Sequence, residues 1–175
     1  MTKTSQQVKT MISDWFDSIG VTHEEIKQKT DEKTTSIFEF MILSGPEKQK
    51  MSIYTLKKIP DRLIIQAEIG LGEDHKKITV DMGVPKFSAF IINLQDKFTT
   101  YDIRYRFLMD GKQLNAIRLH KFIHYEVLDK EKFMQTYARV AEIFNTSLNL
   151  VSAMLGVAPP KPEVKEDDDT QSPYG

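Results

Sequence analysis

Cysteine is absent from all 175 residues. That removes disulfides, thiolate nucleophiles and Cys-ligated zinc or iron–sulfur sites together. No apolar run approaches the ~18 residues of a membrane span. Met1 to Gln7 is polar and lacks an apolar h-region, so the expectation is a cytoplasmic protein without a signal peptide. Charge of one sign is lacking too: 24 Lys and Arg stand against 25 Asp and Glu, a formal net charge of −1. No global field therefore favours nucleic acid or an anionic membrane. Gly-x-Ser-x-Gly, His-Glu-x-x-His and paired-carboxylate signatures are all missing, so neither a hydrolase elbow nor a zincin helix is indicated. No cofactor and no metal site is expected.

What is present is an ordinary globular composition, 40% hydrophobic and 28% charged, in a chain long enough for one domain with a sizeable core. Val8, Met11, Ile12, Trp15, Phe16 and Ile19 recur at helical steps, placing Trp15 and Phe16 on a buried helix face. Gly20 suits the residue that leaves that helix. Val21 to Lys33 is polar, with room for a short edge strand. Thr35–Leu43, Met51–Lys58 and Arg62–Ile69 have the β-branched and aromatic content of strands, and their short connections make them antiparallel neighbours. Asp74 to Met82 reads as a helical turn or two. Pro85 then suits the first position of a helix that buries Phe87, Phe90, Ile91, Leu94 and Phe98.

Tyr101–Leu108 and Leu114–Tyr125 alternate as a hairpin about Asp110-Gly111. A three-residue loop, Asp110-Gly111-Lys112, would pair Ile103 with Leu119 and keep apolar and polar faces separate, as burial requires. Asp129 is an N-cap candidate. Lys130 to Leu155 then forms a helix ~39 Å long, with Gly156 as its cap. From Ala158 onward two lysines oppose five acids, which gives this segment −3 and the rest of the chain +2. Its proline and aspartate content predicts disorder. The expected architecture is one α+β domain over 1–157, an antiparallel five-stranded sheet packed with helices in the order α-βββ-α-ββ-α, and a disordered acidic tail over 158–175.

Few residues suggest chemistry. His120 and His124 have the i,i+4 spacing of a helical metal pair, but on a strand that spacing spans ~13 Å, too far to share one ion. Gly70-Leu71-Gly72 lacks the remainder of a phosphate loop, and Glu73 and Asp74 would repel phosphate at the following helix start. Arg104, Arg106, Arg118 and His120 project from one face of the hairpin. They serve either as a solvated sheet surface or as a dock for an acidic or helical partner. Asp102 and Asp110 beside them make a poor nucleic-acid site. The last helix is apolar nearly all round at its end. Leu150, Met154 and Leu155 there either bury within the domain, against Trp15 and Phe16, or form a homodimer seam.

Ile12-Ser13-Asp14-Trp15-Phe16, Arg62-Leu63-Ile64-Ile65 and Asp129-Lys130-Glu131-Lys132-Phe133, in this order of elements, resemble an archaeal family of uncharacterised proteins with the type III secretion chaperone-like fold. The resemblance covers Val8 to Leu155. It implies a non-catalytic, chaperone-like or adaptor module that is dimeric, binds a protein client and touches neither nucleic acid nor membrane. It carries over no functional residue. Two alternatives stand beside it. One is a small enzyme with an unrecognised site. The other is an adaptor whose Tyr174, in Pro173-Tyr174-Gly175, docks on a proteasome.

Overall fold

A computed structural model describes residues 3–26, 36–43 and 50–157 of the chain. The first helix, α1 (Ser5–Ser18), opens on a capping box: Thr4 accepts from the Gln7 amide, and the Gln7 side chain accepts from the Thr4 amide. It ends where Gly20 takes φ 69°, the left-handed conformation that glycine adopts without a Cβ penalty. Strands β1 (His23–Glu25), β2 (Ser36–Ile42), β3 (Lys50–Leu56) and β4 (Arg62–Gly70) follow. Then come helices α2 (Glu73–Asp81) and α3 (Gly83–Thr100), strands β5 (Arg104–Asp110) and β6 (Gln113–His124), and the long helix α4 (Lys130–Leu155).

The sheet is antiparallel and has six strands in the order β1-β2-β3-β4-β6-β5. The expected five becomes six because His23–Glu25, in the polar stretch after α1, pairs with β2 from Glu25↔Phe40 to His23↔Ile42. Natural edge strands are often short and charged, which blunts an open sheet edge, so β1 shows no apolar pattern. Asp74–Met82, expected as a helical turn or two, falls on the nine-residue helix Glu73–Asp81 and its C-cap Met82. Pro85 sits third in α3 rather than first.

The hairpin also differs from expectation. Asp110 pairs with Gln113 across a two-residue Gly111-Lys112 turn, with φ 56° at Gly111, and a bulge follows at Leu108/Met109. Tyr105, not Ile103, faces Leu119. The register has moved by two residues, so the side-chain parity is kept. The bulge supplies the extra residue that lets a tight turn coexist with separate faces.

Burial alternates along the strands and shows where the helices lie. Phe38, Phe40 and Ile42, Met51 and Ile53, Leu63, Ile65, Ala67 and Ile69, and Ile117, Leu119 and Ile123 are all buried. Onto this face α4 packs over β4 and β6, α1 over β2, and α2 over β6, while α3 meets β5. The intervening residues, among them Tyr54, Gln66, Arg118, His120 and Phe122, stay partly exposed on the opposite face, which no helix among the described residues covers. Phe16 is fully buried, whereas Trp15 is only partly so. The Trp15 ring lies 5.5 Å from that of Phe133 in the first turn of α4, far from the apolar end of that helix. Among the described residues no helix is long and apolar enough to cross a membrane.

Candidate functional site on the open sheet face

The four polar residues singled out on the hairpin do assemble. Antiparallel register sets Arg104 opposite His120 and Arg106 opposite Arg118. On the other side of β6, β4 brings Gln66 opposite His120, Glu68 opposite Arg118, Ile64 opposite Phe122 and Arg62 opposite His124. Next to β4, β3 supplies Tyr54 opposite Ile64. The result is a basic and aromatic surface across four strands.

Two shallow hollows share its centre at His120 and Phe122. One, of about 210 Å³, is lined by Tyr54, Leu56, Ile59, Ile64, Gln66, Arg106, Arg118, His120 and Phe122. Its floor is Ile64, which is only 2% exposed although no helix covers it, because the surrounding long side chains bury it with their stems. The other, of about 460 Å³, is lined by Arg62, Asp102, Arg104, His120, Lys121, Phe122 and His124 together with Thr99 and Ile103. It exists because β6 runs four residues, Lys121–His124, beyond the point where β5 begins opposite His120.

Charge is unevenly compensated here. Arg118 donates to Glu68 at 2.6 Å and Lys121 to Asp102 at 3.0 Å. Arg62 and His124 both approach Asp61 at 3.7 Å. Arg104 has no carboxylate partner among the described residues; its guanidinium lies over the Phe122 ring at 4.8 Å, a cation–π contact of about 0.5–1 kcal/mol at an exposed site. Arg106 faces Arg118 and has no ionic partner among the described residues. His120 makes an edge contact with Phe122 at 5.2 Å. Burial, and then the Arg104 charge, hold the His120 imidazole below its ordinary pKa. Tyr54 donates to Gln66 at 2.9 Å. Its phenol is pushed up by burial and by Glu39, against the pull of Arg118. Burial likewise raises Glu39, opposed by its hydrogen bond with Ser52.

This arrangement suits binding better than bond-making. The larger hollow has one lining carboxylate, Asp102, whose side chain is 97% exposed and tied to Lys121. Among the described residues no group of three or more His, Asp or Glu could hold a metal ion. Arginines beside aromatic rings are, by contrast, the side chains most enriched at protein interfaces.

The remaining candidates from the amino-acid pattern fall elsewhere. Leu155 is 7% exposed and belongs to the core; Leu150 and Met154 are partly buried against it. Tyr174 lies outside the described residues. Glu73 and Asp74 do open α2, with Gly72 as a cap that makes no side-chain bond. Tyr54, Ile64, Gln66 and Arg62 belong to the surface although the sequence pattern does not single them out. Their signal is the alternation within β3 and β4, but joining them to the hairpin requires knowing that β6 inserts beside β4.

Residues 8–151 match a family described as an uncharacterized conserved protein, DUF2299. No curated protein matches the chain. Among solved structures, an uncharacterized protein from Methanothermobacter thermautotrophicus is similar at a TM-score of 0.72 and 17% identity, covering 85% of this chain and 99% of that one. That likeness is one of fold. The ExsC-ExsE complex contains a chain that aligns at a TM-score of 0.48 and 14% identity, covering 86% of this chain and 97% of that chain.

Proposed function

The chain belongs to the DUF2299 family of uncharacterized conserved proteins, and on that premise we propose that it is a non-catalytic protein-binding module. Its partner is an acidic, extended segment of another protein, held chaperone-fashion on the open sheet face. The observation that carries this reading is the charge of Arg104 and Arg106, uncompensated among the described residues, beside the Phe122 and Tyr54 rings on a face that no described helix covers. Complementary charge steers such a segment in, and the aromatic floor gives it apolar contact. The resemblance of the element order to the type III secretion chaperone-like fold points the same way.

The test uses fluorescent peptides of one length, glutamate-rich and lysine-rich, and a single-stranded oligonucleotide. The glutamate-rich peptide is expected to bind, to weaken with salt, and to weaken about tenfold or more in an Arg104→Glu, Arg106→Glu variant. Tighter binding of the oligonucleotide, or a variant equal to the unmodified chain, would overturn the proposal.

The proposal includes self-association along the partly buried flank of α4 at Leu150 and Met154. Replacing both by Glu should yield a smaller folded species. A monomer at micromolar concentration by light scattering, before any substitution, counts against it.

A further inference from the structure

The open face has a candidate occupant within the same chain. Residues 163–169 carry five acids, Glu163, Glu166, Asp167, Asp168 and Asp169, against one lysine, Lys165. The body that precedes this segment is net positive, and its two arginines without carboxylate partners among the described residues stand on the open face. Charge complementarity alone would leave many geometries open, but the path of the chain narrows them. Ser152 near the end of α4 meets His75 of α2 at 3.4 Å. Four residues before His75, the Leu71 amide donates to the Asn115 carbonyl at the start of β6. Asn115 is three residues from Arg118, which faces Arg106. The chain therefore leaves α4 at the sheet end nearer Arg106 and Arg118, with Arg104 one strand pair further in, opposite His120.

Reach is sufficient. A helix is ~10 Å across and strand residues advance ~3.3 Å, so the route from Val157 around the sheet end to Arg118 is on the order of 20 Å. Residues 158–162 span up to about 17 Å when extended, and the acids extend the reach to about 40 Å at Asp169.

We infer that the acidic segment Glu163–Asp169 docks on the basic face of its own chain, at Arg104, Arg106 and Arg118, and occupies the partner site until an acidic client displaces it. This rests on the docking proposal above. Tethering gives the segment a local concentration in the millimolar range, so a weak charge-driven contact is enough to compete. A client must then bring more than charge, and the Tyr54–Ile64–Phe122 floor is where it would gain the difference. The device raises the threshold against nonspecific polyanions while leaving a preferred client able to bind.

The experiment compares three full-length chains with the glutamate-rich peptide. They are the unmodified chain, a tail-neutral variant (Glu163→Gln, Glu166→Gln, Asp167→Asn, Asp168→Asn, Asp169→Asn) and the Arg104→Glu, Arg106→Glu variant. The tail-neutral chain is expected to bind about tenfold more tightly than the unmodified one, and the arginine variant to bind weakly. Equal affinity of the unmodified and tail-neutral chains, with loss in the arginine variant, would overturn the tail inference and leave the docking site standing. Failure of the tail-neutral chain to bind the peptide would overturn the docking site itself. A direct readout exploits the lack of cysteine: a nitroxide on Ser172→Cys should broaden amides of β5 and of Arg118–Phe122 at low salt and release them in about 0.5 M salt, where screening is short-ranged. Undisturbed amides in those strands, in a chain with a native-like spectrum, would overturn the inference.

Discussion

His75 shows how a single residue sets a condition on the fold. It is buried at the contact of α2 with α4, with Ser152 as its hydrogen-bond partner and Asp74 beside it. Burial holds its pKa below the ordinary 6.5, with Asp74 opposing. The unfolded chain therefore takes up this proton first as pH falls. Stability is fully present above about pH 6.5 and is lost progressively as pH drops through the folded-state value. His120 contributes a loss of the same sign. Replacing His75 with Gln should flatten, not abolish, the decline in urea midpoint between about pH 7 and pH 5; an unchanged slope would contradict this account. Ser147 is the opposite case. Its hydroxyl is buried in α4 with no hydrogen-bond partner among the described residues. Ser147→Ala removes that unpaired group, and it should raise stability by up to about 1 kcal/mol, read as a higher melting temperature. A destabilised variant would mean the hydroxyl is bonded in solution.

At the scale of elements, α1 separates two aromatic neighbours that periodicity groups together. Phe16 is fully buried, with edge contacts to Phe133 at 5.4 Å and Tyr137 at 5.6 Å. Trp15 covers Phe133 from outside and keeps part of its ring in water. Phe16→Ala should cost about 3–5 kcal/mol and Trp15→Ala distinctly less. Denaturant titration of the two variants decides it, and equal losses would show that Trp15 carries as much packing as Phe16. The end of α4 makes a similar point. Its Leu148, Val151 and Leu155 lie on one buried stripe, Leu150 and Met154 widen the apolar surface and are partly buried, and the helix meets both the sheet and α2. An all-round apolar turn reports the number of covering neighbours, and it does not say whether they come from the same chain.

At the scale of the molecule, one hydrophobic core runs from Val8 to Leu155. Limited trypsin treatment in about 0.5 M salt, where the inferred tail docking is screened, should cut first at Lys165, since Pro162 protects Lys161, and leave a resistant body that retains α4. Early cleavage within Lys130–Leu155 would contradict a single cooperative unit. The functional reading also belongs to this scale. Arg104, Arg106, Arg118 and His120 are recognisable as one face of a hairpin, since period-two alternation needs no partner strand. Their significance depends on β6 lying between β4 and β5, which joins them to Tyr54, Ile64 and Arg62.

Local choices were legible in the linear pattern. Asp129 and Gly156 bound α4 where expected, with Asp129 accepting from the Lys132 amide at 2.7 Å and Gly156 at φ 68°. The three central strands and both hairpin faces follow from alternation within short windows. These features rest on interactions between residues a few positions apart, so a linear pattern contains them. The tertiary structure decided the rest. The sixth strand exists only because β2 offers an edge to a polar segment. The hairpin register shifts by two residues, because burial constrains parity alone and leaves the turn and bulge to choose among equal parities. Among the described residues the open face is left uncovered because the helices gather on the other side, an outcome set by packing between residues far apart in the chain.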